Sequence, residues 1–182
     1  TNAAQYNGEG DEAVTITGTV SATEADAIAD VTSGVVTAAS ITADTAAALN
    51  SALSDAQVNA YNLTINGSSA ISTDITSLDN KTSGSITLSG TSMTITVASG
   101  ETLNLSGITN SLSGNLTIED STGNENIVGT SVNDTLTLSS GNDTVNLGNG
   151  SDVINTTIAN LNTADNISDT GTTGTDTLNI TN

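Results

Sequence analysis

The sequence predicts a mainly β protein, with a parallel β-helix or β-roll solenoid in its C-terminal half and short Ala-rich helices and strands in its N-terminal half. Three observations carry this expectation. Asp134, Asp143 and Asp152 recur every nine residues, each followed two positions later by an apolar residue, Leu136, Val145 or Ile154. A helix does not hold one face at that period and a plain strand repeats every two residues, so nine implies one tight loop plus one very short strand. Second, β-branched runs such as "VTITGTV", "MTITV" and "LTL" alternate in strand fashion. Third, the chain has no Phe, Trp, Pro or Cys, so Val, Ile and Leu must supply nearly all of any core. A stack of short units can manage this, because each unit buries its face against the next.

Taken in order, "AVTITGTV" (Ala13 to Val20) reads as a strand. Ser21 and Glu24 form an S-x-x-E capping box that starts a two-turn helix over Thr23 to Val31. The stretch "TADTAAALNSALSDAQVNA" reads as a longer helix, with Leu49, Leu53, Ala56 and Ala60 on one face. "TEADAIADVTSGVVT" (Thr23 to Thr37) matches "TDITSLDNKTSGSIT" (Thr73 to Thr87) at both end threonines and at Thr-Ser-Gly. The pair reads as a duplicated plan of helical turn, T-S-G corner and strand, fifty residues apart. From about Ser85 the helical cues vanish, and Gly84, Gly90, Gly100, Gly107 and Gly114 punctuate strands at uneven spacing. The expected division is therefore a mixed region, 1–90, and a β-solenoid, 91–182, most regular over 120–155.

The formal net charge is −19, with one basic residue, Lys81, and neither His nor Cys. Without a basic patch there is nothing to release counterions from nucleic acid or to hold an anionic membrane. No apolar run approaches the ~20 residues that span a bilayer. The start, "TNAAQYNGEG", lacks the basic and hydrophobic regions of a signal peptide, so a leader is expected to have been removed, to lie in a longer chain, or to be replaced by another export route. An enzyme is not expected: with no His or Cys, only paired carboxylates are left for acid–base work. The N-x-S/T sequons and Thr-x-Thr pairs follow from an Asn/Thr/Ser-rich composition. Lys81 beside Asp79 reads as a solvated ion pair in a turn rather than as an isopeptide cross-link. Order is expected only when the acid charge is neutralised.

The nine-residue register extends back to "DSTGNENIV" (Asp120 to Val128), where Glu125 takes the aspartate's place, and continues through "GTSVNDTLT", "LSSGNDTVN" and "LGNGSDVIN". After a poorer stretch, "GTTGTDTLN" (Gly171 to Asn179) restores it. This segment resembles the repeats-in-toxin (RTX) array, whose unit is G-G-x-G-x-D-x-U-x with U apolar. The resemblance implies a β-roll in which two units make one turn and acids of the same parity face each other. It pairs Asp134 with Asp152 and Glu125 with Asp143, with carbonyls near Gly129, Gly141, Gly148 and Gly150 completing the shells. An oxygen-only donor set favours Ca²⁺ over zinc or copper. Asp165, Asp169 and Asp176 are read as lacking a stacked neighbour.

The low-complexity Ala/Thr/Ser/Gly texture resembles bacterial surface-layer proteins and giant adhesins. That likeness implies a calcium-binding, self-assembling structural protein at the cell surface, outside the cell. Its expected partners are copies of itself and surface polysaccharide, with neither nucleic acid nor membrane insertion. The alternatives are an adhesive module and the secretion and folding module of a larger protein.

Overall fold

A computed structural model describes residues 10–182. The expectations for the opening stretch, Tyr6 included, lie outside the described residues. The first described element, β1 (Val14–Val20), turns directly into α1 (Ala22–Ala29). The capping box forms: Ser21 Oγ accepts from the Glu24 amide, and the Glu24 carboxylate accepts from the Ser21 amide and hydroxyl. Those hydrogen bonds hold the Glu24 carboxyl below its usual range. Next come β2 (Val36–Ile41), α2 (Ala46–Ala52), β3 (Ala60–Tyr61), β4 (Leu63–Ile65), β5 (Ser69–Ile71) and α3 (Ser72–Lys81).

The second helix is far shorter than its sequence suggests. Asp26, 28 residues earlier, takes the amides of Ser54 and Asp55 and the Ser54 hydroxyl, and these groups cannot then serve a continuing helix. Leu49 and Leu53 are buried as expected, but Ala56 is exposed and Ala60 opens β3. "SLDNK", expected as a turn, is the last part of α3.

The duplicated plan is present in three dimensions. Thr32 Oγ donates to the Glu12 carbonyl at 2.6 Å and accepts from the Gly34 amide at 3.0 Å. Thr82 Oγ likewise donates to the Tyr61 carbonyl at 2.7 Å and accepts from the Gly84 amide at 2.9 Å. A Cβ on Gly34 or Gly84 would sit 2.3 or 2.2 Å from the same carbonyl oxygens, so both corners demand glycine. Midway between them, Gln57-Val58-Asn59 makes a different corner, in which the Asn59 side chain accepts from the Val36 amide at 2.9 Å. The fifty-residue repeat is thus two steps of one plan, with the middle corner built from other residues.

After α3 there are only strands: β6 (Ile86–Gly90), β7 (Met93–Thr96), β8 (Thr102–Asn104), β9 (Thr109–Leu112), β10 (Leu116–Glu119), β11 (Asn126–Val128), β12 (Asp134–Thr137), β13 (Thr144–Asn146), β14 (Val153–Thr157), β15 (Asn166–Ser168) and β16 (Thr177–Thr181). The protein is mainly β, and the strand pairings are parallel. Among the described residues there are four open sheets: β1-β2-β3, β4-β6-β9, β5-β7-β10-β12-β14-β16 and β8-β11-β13-β15. Two of them run across residue 90, through β4-β6-β9 and β5-β7. From β10 to β16 the chain visits the six-stranded and four-stranded sheets alternately.

The register shows a change of step. In the first part, Val14 lies opposite Val36 and Ser69 opposite Thr94, steps of 22 and 25 residues. From Leu116 the step falls to 18: Leu116 faces Asp134, Asn126 faces Thr144, and Thr135 faces Val153. It lengthens again to 22 and 24, with Thr144 opposite Asn166 and Val153 opposite Thr177. Side chains alternate in and out along each strand, so apolar residues stack in rows. One row is Ile95, Ile118, Leu136 and Ile154, and another is Leu103, Ile127 and Val145, all buried.

Candidate metal centre

The loops between these short strands bring the acids to the sheet edges. Along the edge that precedes β11, β13 and β15, each acid accepts the backbone amide of its counterpart one step back. The Gly100 amide donates to Glu125 Oε1 at 2.6 Å, the Glu125 amide to Asp143 Oδ1 at 3.0 Å, and the Asp143 amide to Asp165 Oδ1 at 3.0 Å. Along the other edge, the Asp134 amide donates to Asp152 Oδ1 at 2.8 Å and the Asp152 amide to Asp176 Oδ1 at 3.0 Å. The structure therefore brings together the same-parity pairs Asp134–Asp152 and Glu125–Asp143. It corrects the reading of Asp165 and Asp176 as unstacked: each extends a ladder by one rung. The longer steps of 22 and 24 residues hid them from a nine-residue count.

The asparagines just before the acids form a second ladder, with Asn124 Oδ1 accepting the Asn142 amide and Asn133 Oδ1 the Ser151 amide. The glycines keep these loops close. A Cβ on Gly129 would lie 2.6 Å from Asp134 Oδ2, and one on Gly150 2.7 Å from Asp152 Oδ1. A Cβ on Gly141 would fall 1.4 Å from the Gly123 carbonyl oxygen, and Gly148, with φ +86°, lies against the Thr130 carbonyl. The Gly141 carbonyl accepts from the Asn162 side-chain amide.

The two edges differ in what their carboxylates still lack. Asp120, which sequence reasoning passed over because it stands where the repeat's first glycine belongs, joins Glu125 and Asp143. One oxygen from each of the three lies within 4.8 Å of the others. Asp120 Oδ2 accepts from the Ser139 amide at 3.0 Å. The remaining oxygens, Asp120 Oδ1, Glu125 Oε2 and Asp143 Oδ2, are buried without any hydrogen-bond partner. Three converging carboxylates, each with an orphaned buried oxygen, fit a hard cation. On the other edge Asp134 is already served, by the Thr130 amide at 2.7 Å and the Thr130 hydroxyl at 3.1 Å. Thr130 stands at the second glycine position of its unit.

Electrostatics agree with a site built to exchange protons for a cation. Burial pushes the Asp120 carboxyl up to about 7, with the Asp143 and Glu125 charges adding to the rise and the Ser139 amide opposing it. Burial also lifts Asp134 to about 7 against the hydrogen bonds from Thr130. Asp143 and Asp152 are raised by burial and, further, by neighbouring carboxylates.

Stacked oxygen-only loops at an 18-residue step, on parallel strands, define a calcium-binding repeat module. Residues 120–154 match the family model of the RTX calcium-binding nonapeptide repeat, in four copies. This segment is an RTX array, and its cofactor is Ca²⁺. No curated protein and no solved structure matches the chain. RTX repeats of this kind mark a calcium-binding module of a secreted protein. Among the described residues no helix is long and apolar enough to cross a membrane.

Proposed function

We propose that the chain is an extracellular, calcium-stabilised structural protein that assembles with copies of itself into a surface layer, sheath or fibre. The observation that carries this reading is the fate of one apolar row. Ile95, Ile118, Leu136 and Ile154 are buried, and the row comes into the open at Leu178 on β16, 47 % exposed. Along β16 every residue is exposed, including Ile180. An apolar row open at a sheet edge is a surface on which a further parallel strand can add, and this reading assigns that place to another copy.

In this reading the six-stranded and four-stranded sheets are facing walls of a β-roll solenoid. The 18-residue step is then one turn of two nonapeptides. The helices and the earlier sheets continue the same stack, so residues 10–90 and 91–182 act as one body. Glu125, Asp143 and Asp120 hold one calcium ion, with Asp134 and Asp152 serving the opposite edge. Carbonyls near Gly129, Gly141, Gly148 and Gly150 complete the shells. At cytosolic calcium the sites stay empty and the −19 charge keeps the chain extended; outside the cell calcium orders it. No catalysis is inferred, because the buried carboxylates are committed to the amide ladders and the cation. Surface polysaccharide is the lesser partner, since Tyr61 is buried and offers no stacking platform.

Electron microscopy of the purified chain with and without millimolar calcium tests the reading. Ordered sheets or fibres that appear with calcium and dissolve in EGTA are expected. Dispersed monomers under both conditions would favour the adhesive module or the secretion and folding module instead.

A further inference from the structure

The helices carry a constellation that calcium binding does not use. Asn50, in α2, stands between two side chains of α3. Its Nδ2 donates to Asp74 Oδ1 at 2.9 Å. Its Oδ1 accepts from Lys81 Nζ at 2.7 Å and from the Ser77 hydroxyl at 2.7 Å. Lys81 Nζ also donates to the Asn50 backbone carbonyl at 2.8 Å. A carboxylate can only accept and an ammonium can only donate, so these two neighbours fix which end of the amide is oxygen. All four side chains are partly buried. The chain's one basic residue is thus aimed at an amide, and the ion pair with Asp79 expected from sequence is not the contact it makes.

We propose that Lys81 and Asn50 form an intramolecular isopeptide bond that joins α3 to α2, with Asp74 carrying the proton and Ser77 holding the oxyanion. The groups needed are all in place before reaction, which removes most of the entropic barrier to amide exchange. Nζ is 2.7 Å from Oδ1 and the carbon it attacks is one C=O bond further on, so a change in the lysine torsions brings it there. Asp74, a carboxylate at the outset, takes one proton from Nζ as the lysine swings across the amide; the freed lone pair forms the Nζ–Cγ bond and the carbonyl pair moves onto Oδ1. There the Ser77 hydroxyl donates to the developing charge. Asp74, already bonded to Nδ2, delivers a proton to that nitrogen. The Oδ1 pair then returns, the Cγ–Nδ2 bond breaks, and ammonia leaves. The atoms balance: the ammonium and the carboxamide bring five N–H protons, of which one remains on the new amide and four depart as an ammonium ion. No redox partner or nucleotide is required. A groove of ≈ 450 Å³ bordered by Thr73, Thr76, Ser77, Asn80 and Lys81 gives the ammonia a way out.

Intact-mass spectrometry of the denatured full chain tests the bond. The expected mass is below the sequence mass by about 17 Da, one ammonia, with the Asn50 and Lys81 peptides recovered as one branched species. An amine-reactive label should mark only the α-amine of the wild type. Lys81→Arg and Asp74→Ala should both run at full sequence mass, and Lys81 should take the label in Asp74→Ala. The wild-type mass decides the bond by itself even if a variant folds poorly. A full sequence mass with Lys81 completely labelled overturns the proposal. So does a loss of about 17 Da that persists in Lys81→Arg, which would mark a succinimide at Asn7-Gly8, Asn66-Gly67 or Asn149-Gly150.

Discussion

The backbone amide of Asp134 donates to Asp152 Oδ1 at 2.8 Å, across 18 residues of chain and a single strand spacing. Glu125, Asp143 and Asp152 thus each hold the loop one step back, whereas Asp134 is held within its own loop by Thr130; in the proposed calcium site their remaining oxygens face the cation. Neutralising one member disturbs both the ladder and the ion. The edges, by contrast, share no acid.

Loss of calcium-dependent stability should be strongly non-additive within an edge and additive between edges. For Asp134→Ala with Asp152→Ala, and for Glu125→Ala with Asp143→Ala, coupling on the order of 1–3 kcal/mol is expected. For Asp134→Ala with Asp143→Ala it should fall below roughly 0.5 kcal/mol. Denaturant titrations of the single and double variants in calcium measure it. Additivity within both pairs would leave simple turn capping as the role of these acids.

Asp120→Asn should weaken calcium binding by roughly tenfold, about 1.4 kcal/mol, because one of three converging carboxylates loses its charge. Asp79→Asn, on an exposed residue of α3, should leave affinity unchanged. Calorimetric titration compares them. Magnesium, which holds its water and demands a tighter octahedron, should substitute poorly in the same experiment.

Stability should fall with rising pH without calcium and stay nearly level with it. The buried carboxyls of Asp120 and Asp134 lie near 7 in the folded chain, against an ordinary 3.8. Without calcium the folded chain keeps protons that the unfolded chain has already released. The resulting stabilisation is full below about pH 4 and is lost as pH rises through about 7, at roughly 1.4 kcal/mol per unit for each group. Calcium holds the ionised forms in the folded chain and cancels that fall, so calcium-bound stability should stay nearly level over that range while the increment due to calcium grows. Urea midpoints from about pH 4 to 8, in EGTA and in calcium, should diverge, and Asp134→Asn should flatten the EGTA curve.

Gly141→Ala should be severe and Gly107→Ala mild. At Gly141 the added methyl meets the Gly123 carbonyl, a backbone group that cannot swing away, and a cost of about 3 kcal/mol or more is expected. At Gly107 nothing lies within 4 Å, so the change should stay within about 0.5 kcal/mol. Thermal melts of the two variants give the comparison.

What could be read from the sequence is what repeats locally. The nine-residue spacing of Asp134, Asp143 and Asp152, the Ser21–Glu24 cap and the paired T-S-G corners all depend on residues close in the chain, and all three patterns are present. The features that escaped depend on contacts a full step away. Asp26 ends α2 from 28 residues upstream. Asp165 and Asp176 join the ladders only because longer steps return them to register. Asp120 and Thr130 stand at glycine positions of the repeat, and both are partners of the array's acids. Lys81 was judged by its sequence neighbour, Asp79, whereas its contact is Asn50, 31 residues away.

The change of step bears on how such a chain can evolve and be engineered. Neighbouring parallel strands are about 4.8 Å apart however many residues connect them. Where the step is 22 to 25 residues, the surplus over 18 lies sideways in loops and helices. Extra sequence can be gained or lost there without altering the spacing of the paired strands. Within the 18-residue steps there is no such slack, and one inserted residue would turn every following side chain to the wrong face. Peptide tags and new binding loops therefore belong in the long steps, while the array between Leu116 and Val153 serves as the ruler against which the rest is free to vary.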